Sequence, residues 1–439
     1  MATAHLSFSG LRQSLAESVG GLPRAFWWLW TSTLINRLGA FVATFLALYL
    51  TVERGYSASY AGLVGALYGA GGVVSSIGAG VLTDRLGRRP TLLLAQLSTA
   101  ASVAALSLMT HPVAIAAVAG LVGMSTNASR PAVQAMIADM VPPEDRVRAF
   151  ALNYWAINLG FAISSTSAGL IAQYSYHLLF FTESAMVLAC AILVYVKLPE
   201  SRPERSAVPR AGEARDDGQV SMGTVLRDGR FMTVVGLSLL VASLIQQGFV
   251  ALPVAMGQQG FSSSDFGMAI AVNGLLIVVV QLPITRFIEK REPGGVLVVS
   301  SLLVGFGFGL NAFAGTVPFF VFAVVVWTVG EVINTPTQMG LVVRLSPVHG
   351  RGRYQGMYSM SWAAANLSAP LAGGYVIDRF GADVLWAASA VVGVIAAVGY
   401  ALLLRRLGTG EETAPVAAAP SPAPAEVTEP AAPRTDSVA

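Results

Sequence analysis

Long apolar runs alternate with short polar breaks along nearly the whole 439-residue chain. About 20 apolar residues cross a bilayer as a helix, and these runs meet that length one after another. The pattern predicts six helices at about Ala25–Leu50, Ala58–Thr83, Thr91–Met109, Pro112–Met140, Ala149–Tyr174 and His177–Leu198. Residues 199–230 then turn polar, with Glu200, Arg202, Glu204, Arg205, Arg210, Glu213, Arg215, Asp216 and Asp217, which reads as a solvated linker with room for a short interfacial helix. Six more helices follow at about Phe231–Met256, Ser264–Ile288, Gly294–Ala314, Pro318–Arg344, Tyr354–Ile377 and Ala382–Leu404. Beyond Arg405 and Arg406 the tail is largely Ala, Pro, Glu and Thr, too poor in large apolar residues to bury a core, and disorder is expected there.

The two sets of helices resemble each other. Pro131, Arg146, Arg148 and Gly169 recur as Pro336, Arg351, Arg353 and Gly374 at one offset (351 − 146 = 205), so the fourth and fifth helices match the tenth and eleventh. The expected architecture is an all-α integral membrane protein of twelve transmembrane helices in two pseudo-symmetric six-helix bundles. Its parts are an N-terminal segment (1–24), a first bundle (25–198), the linker (199–230), a second bundle (231–404) and the tail (405–439).

Loop charges orient this layout. With both termini in the cytoplasm, Arg85, Arg88, Arg89, Arg146, Arg148, the linker arginines, Arg286, Lys290, Arg291, Arg351 and Arg353 all fall inside. The outer loops keep Arg54 and Arg379, each beside an acid, Glu53 or Asp378. Composition agrees: 54% of residues are hydrophobic, 12% are charged, and the net charge of +3 belongs to these loops rather than to a nucleic-acid-binding face. The single cysteine, Cys190, excludes an intramolecular disulfide, and Met1–Gly21 lacks the pattern of a cleavable signal peptide. The expected setting is the cell membrane, crossed many times.

One loop carries a motif. Between the second and third helices the sequence reads G-V-L-T-D-R-L-G-R-R-P, Gly80 to Pro90. Gly80 is expected to let backbones pack closely, Asp84 to close the last turn of the second helix, and Arg85, Arg88 and Arg89 to crowd one membrane face around a tight turn at Gly87. A carboxylate placed so can pair with arginines or with a neighbouring helix N-terminus, making a charged conformational latch. The pattern G-x-x-x-D-R-x-G-R-R resembles the signature loop of the major facilitator superfamily, and that resemblance implies the fold above and a transport function.

Ionisable groups inside spans are costly and mark functional sites by default. They are Arg37 in the first helix, Arg130 and Asp139 in the fourth, Glu183 in the sixth and Glu331 in the tenth, in V-G-E-V-I-N-T-P. Glu331 is the candidate proton carrier, because a carboxyl group in a poorly hydrated cavity can exchange a proton near neutral pH; a locally hydrogen-bonded structural glutamate is the alternative. Asn334 and Pro336 nearby are expected to loosen that helix. Arg130 and Asp139 are nine residues apart, on roughly one face but beyond direct contact, so Arg130 needs another partner. For Arg37 a substrate contact stands beside a satisfied intramembrane pair or a snorkelling side chain, and for Glu183 a cavity position stands beside a paired one near the outer interface.

The segments D-R-x-G-R-R, A-D-M-V-P-P-E-D-R, N-Y-W-A-I-N-L and G-E-V-I-N-T-P together resemble the proton-coupled multidrug exporters of the drug:proton antiporter branch, of the LmrP type. That likeness implies proton coupling through Glu331, Asp139 and Arg130. Where that type has acids, this chain has Asn153 and, in the seventh helix, Gln246 and Gln247, which puts cationic substrates in doubt. Tyr154, Trp155, Trp327, Tyr358, Trp362 and Phe249, with Arg37, Glu183 and Gln246, are the candidate lining of an apolar substrate cavity. The leading expectation is a secondary transporter exporting amphipathic small molecules in exchange for protons, without cofactor or metal, working as a monomer in the lipid bilayer with no nucleic-acid partner. An uptake permease for a polar solute and a non-transporting receptor are the rivals; the permease should show more Asn, Gln and charge around its cavity. An enzyme fits poorly, since the four histidines fall in the tail, loops or helix ends and no H-E-x-x-H or phosphate-binding loop is present.

Overall fold

The structure, a computed structural model, describes residues 21–201, 221–288, 291–347 and 350–408. Most of the N-terminal segment, residues 202–220 of the linker and nearly all of the tail lie outside these, as do the side chains of Asp84, Arg286, Lys290 and Arg351.

The first bundle contains α1 (Arg24–Leu38), α2 (Val42–Leu48) with a π turn at Tyr49–Glu53, α3 (Ala58–Leu86), α4 (Arg88–Leu108), α5 (Pro112–Met140), α6 (Arg146–Tyr174) and α7 (Tyr176–Lys197). A short helix, α8 (Met222–Arg227), precedes the second bundle of α9 (Gly229–Gln246), α10 (Ala251–Gln258), α11 (Ser263–Ile288), α12 (Pro293–Gly309), α13 (Val317–Leu345), α14 (Arg351–Phe380) and α15 (Ala382–Gly408). Eleven segments are long and apolar enough to cross a membrane, α1 with α2 and α9 with α10 each counting as one. The remaining long helix, the 30-residue α14, is less apolar, carrying Gln355, Ser359, Ser361, Asn366 and Ser368 along its length.

The first span of each half is broken, where the apolar pattern predicts continuous helices. In the first half the backbone leaves the helix at Gly39 and restarts after Phe41; in the second it turns over residues 247–250. Neither break contains a proline. Irregular backbone survives at membrane depth only where its freed groups are satisfied, and here Glu183 of α7 does so, its Oε2 accepting from the N–H groups of Phe41 (2.9 Å) and Val42 (2.7 Å). By contrast α5 and α13 run without interruption past Pro131 and Pro336, so the expected loosening beside Asn334 does not interrupt the tenth span. Asn334 is buried and donates to Ser300 at 2.8 Å.

The bundles meet through α3 on α14, α6 on α11 and α2 on α10. The two main pairs are the second helix of one half against the fifth of the other, as a pseudo-twofold requires. Glycines let them close. A Cβ on Gly62 would lie 2.3 Å from the Pro370 carbonyl oxygen, one on Gly69 2.7 Å from that of Asn366, and one on Gly374 2.3 Å from that of Ala58. The repeat partners Gly169 and Gly374 do the same work, each set against the first turn of the opposing helix, at Ser263 and Ser264 for one and at Ala58 and Ser59 for the other. This seam occupies one end of the molecule. Toward the other end, which carries Gly87, a Cβ at Gly78, Gly80, Gly340 or Gly356 would meet nothing within 4 Å. Gly80 therefore makes no close approach to the described residues, contrary to expectation.

Candidate transport cavity

Between the bundles lies a cavity of about 790 Å³, closed by the glycine seam at one end. Its first-bundle wall carries Arg37, Tyr68, Thr126, Asn127, Arg130, Tyr154 and Asn158; its second-bundle wall carries Gln246, Asn273, Glu331, Ser359, Trp362 and Asn366. Arg37 is the penultimate residue of α1, immediately before the break, so the interruption of the span exposes a charged side chain at mid-depth. Gly160 of α6 permits this, since a Cβ there would come within 2.5 Å of the Arg37 Cβ.

Glu331 projects from α13 toward α11. Asn273 Nδ2 donates to its Oε2 at 2.9 Å and to Thr328 Oγ1 at 3.1 Å. Tyr154 lines the opposite wall and is hydrogen-bonded with Gln281. Gln246 donates to Asn366, joining α9 to α14 in the same wall.

Of the candidate lining residues, Arg37, Tyr154, Gln246, Trp362 and Phe249 reach the cavity, and so do the proposed coupling residues Arg130 and Glu331. The others do not. Trp327 is buried and stacks on Phe308, ring centroids 5.0 Å apart. Tyr358 is buried; its hydroxyl donates to Gln338 and accepts from Trp362 Nε1 at 3.1 Å each, so it fixes Trp362 in the wall from behind. Trp155 is exposed outside the cavity. Glu183 is occupied at the α1–α2 break, and Asp139 pairs with Arg88 at 2.9 Å at the Gly87 end. The cavity is also more polar than the aromatic pattern suggests, since four asparagines face it.

The latch is tighter than a loop. α3 continues through Asp84 to Leu86, and Gly87 alone, at φ +108°, separates it from α4. The side chain of Asp84 lies outside the described residues. Glu200 accepts from the backbone N–H of Arg88 (2.9 Å) and Arg89 (3.2 Å), and Arg89 lies over Tyr195 and donates to its carbonyl. Arg85 is exposed. These contacts tie the turn to α7 and to Glu200 at the start of the linker.

A second, opposite latch is not apparent from the half-chain repeat. Gly374 to Gly381, G-Y-V-I-D-R-F-G, repeats the spacing of Gly80 to Gly87, G-V-L-T-D-R-L-G, and its final glycine again ends a helix at positive φ, +88°. Here the carboxylate crosses between bundles. Asp378 accepts from the N–H of Ala58 (2.9 Å) and of Ser59 (2.6 Å), capping the first turn of α3. Burial pushes its carboxyl up, but the Ser59 hydroxyl and N–H, the Ala58 N–H and the Ser57 hydroxyl together hold it below its ordinary value. The signal that finds this copy is an offset of 294 (374 − 80), well away from the half-chain offset.

The Major Facilitator Superfamily profile matches residues 29–346 and 235–434. The chain belongs to that superfamily. It is 26% identical over 399 residues to the MFS-type transporter YttB of Bacillus subtilis, covering 89% of this chain and 98% of that one. It is 26% identical to a Na(+), Li(+), K(+)/H(+) antiporter of Planococcus maritimus (75% and 84% covered) and 25% identical to the multidrug resistance protein MdtH of Cronobacter sakazakii (72% and 78%). Among solved structures, a POT family transporter in complex with 5-aminolevulinic acid superposes with a TM-score of 0.73 at 16% identity, covering 89% of this chain and 97% of that one. This superfamily member is therefore a secondary transporter crossing the membrane many times. The narrower likeness to the LmrP type is not singled out by these relatives.

Proposed function

We propose that this chain exports small amphipathic molecules across the cell membrane in exchange for protons, by alternating access of the cavity, with Glu331 as the proton site. The observation that carries this reading is the placement of Glu331: a mid-span carboxyl group in the wall of the cavity, held by the neutral Asn273, so that its charge is balanced by a proton or by a ligand rather than by a fixed cation. The names of two relatives, a cation/H(+) antiporter and a multidrug resistance protein, support exchange and export. Placing the arginine-rich Gly87 end in the cytoplasm follows the positive-inside rule, and the conformation described is then open inward and sealed outward by the glycine seam and Asp378. On this reading the Gly87 turn seals the cytoplasmic end in the opposite state.

The asparagines around the cavity favour a second reading, proton-coupled uptake of a polar solute. Proton-gradient-driven transport in reconstituted vesicles tests both, measured beside counterflow for Glu331→Gln and the parent. The substitution mimics permanent protonation, so counterflow is expected to survive while accumulation against a gradient fails. Retention of uphill transport removes Glu331 from the proton path, loss of both activities assigns it to binding or structure, and uphill movement in the direction of proton flow selects uptake.

A further inference from the structure

Two arginines share one wall of the cavity, and neither is ion-paired among the described residues. Arg37 and Arg130 come from different helices, α1 and α5, line the same wall beside Tyr68, and are close enough for Arg130 to act on Arg37 electrostatically. The two acids within this bundle's spans are committed elsewhere. Glu183 is spent on the N–H groups of Phe41 and Val42, and Asp139 on Arg88. Among the described residues neither Arg37 nor Arg130 forms an ion pair. Two like charges held together at membrane depth are unfavourable unless something neutralises them, and a guanidinium keeps its proton there. Among the described residues the one acid in the cavity lining is Glu331, on the opposite wall.

We infer that Arg37 and Arg130 form an anion subsite, which takes the carboxylate, sulfonate or phosphate group of an amphipathic substrate whose apolar part rests against Phe161, Phe249 and Trp362. The geometry suits this class: two planar forks can each bond an anionic group through paired N–H donors, while Tyr68, Thr126 and Asn127 beside them supply neutral polar contacts. The inference deepens the transport reading, since it names the substrate class of that cavity, but it does not depend on direction or on proton coupling. It also gives Arg130 a different task from the proton relay that the sequence suggests: it binds the cargo.

Binding to the purified, full-length protein tests this without transport. The probes are 2-naphthoate, naphthalene-2-sulfonate and 2-naphthyl phosphate, against the neutral 2-naphthamide, read at pH 7 by calorimetry and by energy transfer from tryptophan. At least one anion is expected to bind tenfold or more tighter than the amide. Arg37→Gln and Arg130→Gln should each weaken that anion about tenfold and leave the amide within twofold, whereas Arg130→Lys, which keeps charge but not the fork, should fall between. Thermal melting of each variant separates loss of fold from loss of binding. If no anion outbinds the amide, or if both glutamine variants retain the parent's affinity for the anion, the subsite is refuted. Failure of the Glu331→Gln transport test leaves this binding result untouched, so the two readings fail separately.

Discussion

Replacing Asp378 by asparagine should loosen the sealed end of the molecule. Its carboxylate accepts two backbone N–H groups of α3 and sits where the helix leaves partial positive charge. A hydrogen bond to a charged group contributes about 1.5–3 kcal/mol when buried, and a charge at a helix terminus about 0.3–1 kcal/mol. Asp378 is exposed, so solvent screening reduces the whole contact to about 1–2 kcal/mol. Asparagine keeps one acceptor oxygen and loses the charge. The expected loss is about 1 kcal/mol, roughly a fivefold shift from sealed toward open at that end. Spin labels at Tyr174→Cys and Phe313→Cys, both highly exposed and on different bundles, report the separation, and the buried native Cys190 should resist labelling. Protonation should act like the substitution. Because the carboxyl is held below its ordinary value only in the sealed state, its contribution is complete above the ordinary carboxylate range near about 4 and fades as pH falls through the depressed value. The parent should therefore show one distance distribution from pH 7 to pH 5. An Asp378→Asn distribution identical to the parent's refutes a latch at this position.

Gly62→Val should prevent sealing of the same end, since even a Cβ would press on the Pro370 carbonyl oxygen, while Gly80→Ala should leave the sealed-end distance unchanged; the same label pair measures both. Glu183→Ala should lower thermal stability by about 1–3 kcal/mol, because it strands the buried N–H of Val42 and leaves that of Phe41 only the Gly39 carbonyl, and Glu183→Gln should cost less, as detergent melting curves can show.

The spans are legible in the sequence because an apolar run of about twenty residues matches the thickness of a bilayer and exceeds what most soluble cores bury in one element. Glu331, Arg37 and Arg130 stand out because charge inside such runs is rare. The breaks in the first span of each half are not legible. They rest on contacts such as Glu183 with Phe41, 142 residues apart, which no local pattern encodes. Aromatic residues give mixed results for a related reason: helical spacing groups Trp327, Tyr358 and Trp362 near the cavity but does not say which face of the helix meets it, and only Trp362 does. Asp378 reads from the sequence as a loop charge balancing Arg379. Its repeat partner, Gln173 (378 − 205), contacts Ser262 at 3.4 Å across the other bundle seam, so the duplication carries the position but not the charge.

The gap between α1 and α2 also bears on how the polypeptide is made. Val42 leaves the ribosome long before Glu183, and no hydrocarbon solvent can satisfy its N–H group in the interval, while that of Phe41 has only the Gly39 carbonyl. Until Glu183 arrives, a continuous rod whose own carbonyls accept the Val42 proton is favoured, on hydrogen bonding alone, over the bent pair found in the finished protein. Bending becomes favourable only when α7 enters beside it. Arg37 is thus turned toward its final surroundings late, after five further crossings have been threaded, and the binding chamber is a product of the last step in assembling the first half rather than of the first.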